Sequence, residues 1–295
     1  MVLTISKNIK LAKNAGFCYG VKRAVDTTKK IKSNNPNAQV CVLGELIHNS
    51  HVICELEKLG IKTLDSIPQK GDGICIIRSH GESEDVFLNI KNAGFELVDL
   101  TCIDVKKVQN KAVELAKDNY FVIILGKKEH PEVKAIYSYA LNNAKDSSFV
   151  YVAHDINALV AIEDKIKNAR KVGLVLQTTQ TKEFLFEVID YLSKICKVLK
   201  VQNTICPSTA LRQQEAKNLA YESDLMIVAG SKKSANTTHL ATLLKEITNT
   251  IHIEDENELD KYSDLIKKSN NIGITAGAST PDDIINKVME KLKTY

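Results

Sequence analysis

The sequence predicts an α/β protein of three similar lobes with mainly parallel sheets in a pseudo-threefold arrangement. Three observations lead there. Short β-branched runs alternate with helical patterns along the whole chain, as strands do when crossover helices join them into parallel sheets. A cysteine opens a helical segment three times, in "FCYGVKRAVDTTKK", "TCIDVKKVQNKAVELAK" and "ICPSTALRQQEAKNLA". Each of these helices leads to an apolar strand ending in glycine and a polar loop, "VLGELIHN", "IILGKKEHPE" and "IVAGSKKSAN", with 26, 24 and 24 residues from cysteine to glycine. Self-similarity at a fixed period marks one supersecondary unit used three times.

Taken in order, "VCVLG", "GICIIRSHG" and "FELVDL" are the strands of a first lobe over residues 14–101. A second lobe, 102–205, carries "YFVIILG", "FVYVA", "KVGLVLQTT" and "KVLKVQ", and a third, 206–295, carries "LMIVAG", "TIHIED" and "NIGITAGAS". In each lobe a second glycine-led strand follows the first, opened by Gly73, Gly173 and Gly273. The third lobe stops after the helix "PDDIINKVMEKLKTY", where the others run on into a strand. The N-terminal segment 1–13, with its strand pattern "NIKLAK", is expected to supply the missing strand and close the three lobes into a ring.

Composition narrows the class. The 295 residues are 44% hydrophobic and 26% charged, an ordinary globular balance without low-complexity runs. The longest apolar runs, such as "FVIIL", fall far below the roughly 18 residues of a membrane span. The start "MVLTISKNIKLAKNAG" lacks the apolar stretch of a secretory leader. Seven cysteines, an odd number, argue against a disulfide framework and for a reducing cytoplasm. The net charge of +4 is dispersed, which fits an acidic partner or an anionic ligand and gives no support to nucleic-acid binding.

Ligands of open α/β sheets bind beyond the carboxyl ends of the strands, where the strand-to-helix loops gather. Cys18, Cys102 and Cys206 all lie on such loops, so a threefold arrangement brings three thiols to one centre. Cys41 and Cys75 inside strands, and Cys54 and Cys196 on helix faces, read as small buried packing residues. Structural zinc sites use four ligands, often as local C-x-x-C pairs, which are missing here; zinc is disfavoured without being excluded. Three thiolates suit an iron–sulfur cluster, which usually takes four cysteines and would keep one iron open to act as a Lewis acid.

The other strand-end loops carry His48, His80, His130, Glu132, Gln177, Thr178, Thr179, Ser234, Asn236 and Ser279. Singly, such residues serve as caps or turn formers. Repetition in three lobes changes that reading: two hydroxyl-or-amide loops, two histidines and helix N-termini are expected to make a diphosphate cradle. Neither G-x-x-x-x-G-K-[ST] nor G-x-G-x-x-G is present, so the phosphate belongs to a substrate rather than to a nucleotide of the usual types. Glu132, behind Pro131, is the carboxylate placed for proton delivery.

"GFCYGVKRAV", "IHN", "SHG", "TC", "HPEV", "QTT", "TIC", "GSKKSAN" and "TAGAS", in that order over nearly the whole chain, closely resemble the 4-hydroxy-3-methylbut-2-enyl diphosphate reductase (IspH/LytB) family. The resemblance implies an iron–sulfur oxidoreductase for the last step of the non-mevalonate isoprenoid pathway. That step is a reductive dehydration giving isopentenyl and dimethylallyl diphosphates. It further implies a central [4Fe-4S] cluster, found as [3Fe-4S] after oxidation, held by Cys18, Cys102 and Cys206, with electrons from reduced ferredoxin or flavodoxin. Carried over by position, Glu132 is the proton source and His130 lines the pocket and joins the proton relay. His48, His80, Ser234, Ala235, Asn236 and Ser279 hold the diphosphate, and Thr178 lines the pocket.

The chain departs from the family pattern at Lys127, where a histidine is frequent, at Lys134 and Ala135, where Glu-Gly is frequent, and at Ala235, where serine is usual. These departures predict altered affinity with unaltered chemistry. Two other classes stand beside the reductase: a hydro-lyase using an open iron without net redox change, and an iron–sulfur sensor, for which a DNA-binding helix pair or basic stripe is lacking.

Overall fold

The structure, a computed structural model, describes residues 7–295; residues 1–6, part of the segment read above as lacking a leader and of the 1–13 strand segment, lie outside the described residues. The chain begins with β1 (Asn8–Leu11) and α1 (Tyr19–Asn34). The first sheet region follows with β2 (Val40–Leu43), α2 (Ser50–Lys58), β3 (Ile61–Leu64), β4 (Ile74–Ile77), α3 (Glu84–Asn92) and β5 (Glu96–Asp99). Next come α4 (Ile103–Lys117), β6 (Phe121–Leu125), α5 (Pro131–Asn143), β7 (Val150–Ala153), α6 (Ile156–Val160), α7 (Glu163–Asn168), β8 (Val172–Leu176), α8 (Lys182–Ser193) and β9 (Leu199–Val201). The last third holds α9 (Pro207–Tyr221), β10 (Leu225–Ala229), α10 (Ala235–Lys245), β11 (Asn249–Ile253), α11 (Ser263–Lys268), β12 (Asn271–Ala276) and α12 (Asp282–Leu292).

The strands form three four-stranded sheets with one shared order: β3-β2-β4-β5, β7-β6-β8-β9 and β11-β10-β12-β1. Every pairing is parallel. The inner strands are apolar without alternation, "VCVL", "ICII", "FVIIL" and "LMIVA" being buried throughout, because helices cover both sheet faces. β1 takes the edge position that β5 and β9 hold in the other sheets, paired with β12 from Asn8 opposite Asn271 to Leu11 opposite Ile274. The N-terminal segment therefore supplies the fourth strand of the last sheet, as the sequence predicts.

The chain divides into two compact units. One takes the residues up to Lys22 with Ile47–Glu55 and Pro207–Tyr295; the other takes Arg23–Leu46 and Leu56–Cys206. The first contains the β11-β10-β12-β1 sheet. Leu225, Ile227 and Ala229 of β10 face Ile285, Val288 and Leu292 of α12, while Met226 and Val228 face Ala216, Leu240 and Leu244 on the other side. Each fully buried aliphatic side chain of this kind contributes about 1.5–3 kcal/mol.

Glycine opens the third strand of two sheets for a packing reason. A Cβ on Gly173 would lie 2.7 Å from Leu115 of α4, and one on Gly273 would lie 2.9 Å from Leu219 of α9. Both leucines stand thirteen residues after the cysteine that opens their helix. The repeat thus extends to how each cysteine-led helix seats on its sheet.

Three local expectations are corrected. β3, "IKTL", is a strand that the apolar-run pattern omits; its alternation is Ile and Thr against Lys, over only four residues at a sheet edge. Cys196 lies beyond α8, which ends at Ser193, and is half-buried in the following turn. Cys54 sits on α2 but faces outward and is exposed. Cys41 and Cys75 are buried in β2 and β4 as expected.

Candidate active site

One backbone bond recurs three times and sets each predicted cysteine. The Cys102 N–H donates to the Ser79 carbonyl (2.9 Å), that of Cys206 to Thr178 (2.9 Å), and that of Cys18 to Ala278 (3.2 Å). Each acceptor lies two residues beyond the third strand of its sheet, β4, β8 or β12. Cys102 is the N-cap of α4 in extended backbone, and Cys18 and Cys206 directly precede α1 and α9. None of the three is held in a disulfide.

A second repeat launches the polar loops. The N–H groups of Gly44, Gly126 and Gly230 donate to the last carbonyls of β3, β7 and β11, those of Leu64, Ala153 and Ile253. His48, His130 and Ser234 each follow four residues later.

In the unit holding β2–β9, the structure gathers Cys102, Cys206, His80, His130, Glu132 and Thr178. His130 caps α5: its Nδ1 accepts the Glu132 N–H at 3.2 Å, so its neutral form carries the ring proton on Nε2. Pro131 takes the first helical position, where its missing N–H leaves no bond unmade. The same turn buries Glu132, 1% exposed, beneath Thr178. The Thr178 N–H donates to Glu132 Oε1 (2.6 Å) and its hydroxyl to Oε2 (2.9 Å). Burial pushes the carboxyl up to about 7, against the pull of the two Thr178 bonds. A group poised there exchanges a proton near neutral pH.

The His80 and His130 rings meet edge to face with centroids 5.4 Å apart. Gln177, wholly buried, accepts the Lys127 N–H through Oε1 (3.3 Å), while its Nε2 has no hydrogen-bond partner. Cys206 Sγ lies 3.0 Å from the buried Asp104 Oδ2, and Lys107 pairs with Oδ1 at 3.1 Å. Sequence reasoning missed Asp104; its place two residues after Cys102, in the first turn of the same helix, was the available signal. Of the departures from the family pattern, Lys134 pairs with Glu129 on the surface (2.9 Å) and Ala135 is fully buried in α5.

The other unit holds Cys18, His48, Ser234, Ala235, Asn236 and Ser279. Ser234 caps α10, its hydroxyl accepting the Thr237 N–H at 3.4 Å, and Ala235 is the first helical residue. Asn236 Nδ2 and Thr237 Oγ1 are buried without hydrogen-bond partners. The Ser279 hydroxyl donates to the half-buried His48's carbonyl at 3.4 Å. The Cys18 loop is pinned by Arg212, 3% exposed, which donates to the carbonyls of Asn14 and Gly16 at 2.9 Å each. Arg212 and Thr237 were not singled out from sequence, since a basic residue mid-helix and a threonine in a first turn look ordinary.

Fold and site together define a class: a three-sheet parallel α/β protein with one cysteine thiol at the same structural position of each repeat and a buried glutamate whose pKa is raised to about 7. The chain belongs to the LytB protein family, whose model matches residues 9–293. It is 41% identical to the 4-hydroxy-3-methylbut-2-enyl diphosphate reductase of Campylobacter hominis, over 97% of this chain and 98% of that one. It is 40% identical to the reductase of the same name from Clostridium tetani, again over 97% of this chain, but spans only 43% of that longer protein. Among solved structures, (E)-4-hydroxy-3-methyl-but-2-enyl diphosphate reductase, the terminal enzyme of the non-mevalonate pathway, superposes with a TM-score of 0.71 at 37% identity, over 98% of this chain and 100% of that one. The Plasmodium falciparum E-1-hydroxy-2-methyl-but-2-enyl-4-diphosphate reductase gives 0.85 at 26% identity, over 97% and 87%.

Proposed function

We propose that this chain reduces 4-hydroxy-3-methylbut-2-enyl diphosphate to isopentenyl and dimethylallyl diphosphates, removing the allylic hydroxyl as water with two electrons. The observation that carries the reading is Glu132: a carboxyl group sealed from water, held by Thr178, and raised to a pKa of about 7. A leaving hydroxide needs a proton, and a neutral buried acid supplies one.

The donor set fits an iron–sulfur cluster. Cys18, Cys102 and Cys206 are thiols outside any disulfide, in three copies of one backbone setting at the start of a helix. They would hold a [4Fe-4S] cluster, found as [3Fe-4S] after oxidation. When bound, such a cluster supplies the electrons and, at an iron without a protein thiolate, a Lewis acid for the substrate hydroxyl.

The remaining work falls to side chains. Glu132 holds the proton at its carboxyl, Thr178 fixes the carboxyl's orientation, and His130, capping the same turn, relays protons through Nε2. Asn236 Nδ2 offers a buried donor without a partner, and the first turn of α10 offers N–H groups, which suit the diphosphate. His48, His80, Ser234 and Ser279 add donors for the same anion, while Ala235 offers its backbone N–H alone. Reduced ferredoxin or flavodoxin is the expected electron source, in a reducing cytoplasm consistent with seven cysteines outside any disulfide.

Anaerobic turnover with a reduced viologen dye tests the reading. Consumption of the dye in step with isoprenyl diphosphate formation is expected, whereas equal turnover without reductant would identify a hydro-lyase. Iron and sulfide quantitation with Mössbauer spectra should show one iron that changes when the diphosphate substrate is added.

A further inference from the structure

Two cysteines outside the cluster set face one another. Cys41 of β2 and Cys75 of β4 are register partners in adjacent parallel strands, so their side chains leave the same face of the sheet. Both belong to the apolar cluster formed with Leu43, Ile77 and Ile90. Strand neighbours lie about 4.8 Å apart, within the roughly 4.4–6.8 Å over which disulfides join Cα atoms. The Cys41 Sγ lies 3.5 Å from the Ile74 carbonyl, and the neighbouring Cys75 draws the Cys41 pKa down while Cys41 and burial push that of Cys75 up.

Cys75 is sealed in, 1% exposed, whereas Cys41 borders open space. Cys41 forms part of the wall of a cavity of ≈ 650 Å³ at the amino ends of these strands. Lys32, Lys62 and Lys70 line it with one acidic side chain, Asp72, so the surroundings are electropositive. Thiols that react with oxidants combine a stabilised thiolate, access from solvent and a second thiol within reach. Cys41 stands in the cavity wall with its thiolate favoured, Cys75 is the second thiol within its reach, and the reductase chemistry uses neither.

We propose that Cys41 and Cys75 form a modification site for small hydroperoxides, in which Cys41 is oxidised and Cys75 closes a reversible disulfide. The Cys41 thiolate attacks one oxygen of hydrogen peroxide, breaking the O–O bond to give a sulfenic acid at Cys41 and hydroxide, which takes a proton to become water. The Cys75 sulfur then attacks the Cys41 sulfur, its thiol proton leaving with the sulfenic oxygen as a second water. The two thiols lose two electrons and one peroxide gains them.

The test uses cluster-loaded protein carrying Cys54→Ser, since exposed Cys54 shares a tryptic peptide with Cys41. After limited hydrogen peroxide under anaerobic conditions, alkylation and digestion, peptides 33–58 and 71–78 should be recovered joined and two hydrogens lighter than their sum. Dithiothreitol should separate them. In the Cys75→Ser variant, Cys41 should instead be trapped as a dimedone adduct. Recovery of both peptides separately alkylated, at peroxide doses that already oxidise other thiols of the chain, would overturn the proposal, as would a sulfenic acid appearing first at Cys75. Should Cys75→Ser fail to fold, peptide mapping of the otherwise unsubstituted protein decides between the same two outcomes.

Discussion

The carboxylate of Glu132 is cradled by a single residue, Thr178, whose amide N–H and hydroxyl donate to its two oxygens at 2.6 and 2.9 Å. The carbonyl of Thr178 in turn accepts the Cys206 N–H at 2.9 Å. The Glu132 carboxyl and the Cys206 thiol are therefore positioned by one peptide segment. Replacing Glu132 by Gln preserves shape and a hydrogen-bonding acceptor but removes the proton. Turnover should fall by about 10²–10⁴-fold, the usual contribution of a general acid, while iron content and substrate affinity stay near wild type. Isothermal titration and iron assays check the second half, and near-wild-type activity would refute the role.

The Thr178 hydroxyl favours the charged form of Glu132. Thr178→Val keeps the volume and the amide bond but deletes that donor, so the Glu132 pKa should rise further above about 7. The alkaline limb of the kcat–pH profile, where the acid loses its proton, should move to higher pH. An unchanged limb would show that some other group governs it.

The same pKa couples to stability. An exposed glutamate titrates near 4.5 and the buried one near 7. Between these values the folded state binds the extra proton, so stability is full below about pH 4.5 and declines as pH rises to about 7. The full effect is on the order of 3 kcal/mol. Urea unfolding of the cluster-free protein across this window should show the decline, and Glu132→Gln should flatten it.

Much of this was legible in sequence because it repeats. The cysteine-to-glycine period marked the leading helix and the following strand of each sheet, and the absent last strand pointed to "NIKL", which pairs with β12 as β1. What stayed hidden has no signature in residue type. β3 is too short and too polar to announce itself, and Cys196 misses its helix by three residues because α8 stops at Ser193. The bonds from Cys18, Cys102 and Cys206 to carbonyls beyond the third strands are backbone chemistry that any side chain permits. Arg212 is visible only once the Cys18 loop lies against it.

Ala235 offers a gain-of-contact test. It is the first residue of α10, 9% exposed, between the capping Ser234 and Asn236 with its unpartnered amide. Ala235→Ser adds one hydroxyl to the diphosphate site proposed above, and a hydrogen bond to a charged group is worth roughly 1.5–3 kcal/mol. KM for the diphosphate substrate should fall about tenfold with kcat unchanged, because the contact is equally present before and during the reaction.

Arg212 is the buried clamp on the Cys18 loop, and its two bonds to the Asn14 and Gly16 carbonyls need a planar fork with donors in fixed directions. Gly16 adopts a φ of +89°, and a Cβ there would lie 2.9 Å from Ile285, so the loop has little room to find another path. Lysine carries the same charge on a single point and reaches one carbonyl at a time, leaving the other buried and unpaired. Arg212→Lys should therefore lower stability by about 1–3 kcal/mol and, because Cys18 hangs on this loop, reduce iron retained per chain during anaerobic gel filtration. The Cys102 loop is bonded independently through Ser79, so thiol-labelling of the metal-free protein should show faster reaction at Cys18 with no change at Cys102; equal acceleration at both would mean general unfolding instead of a released loop.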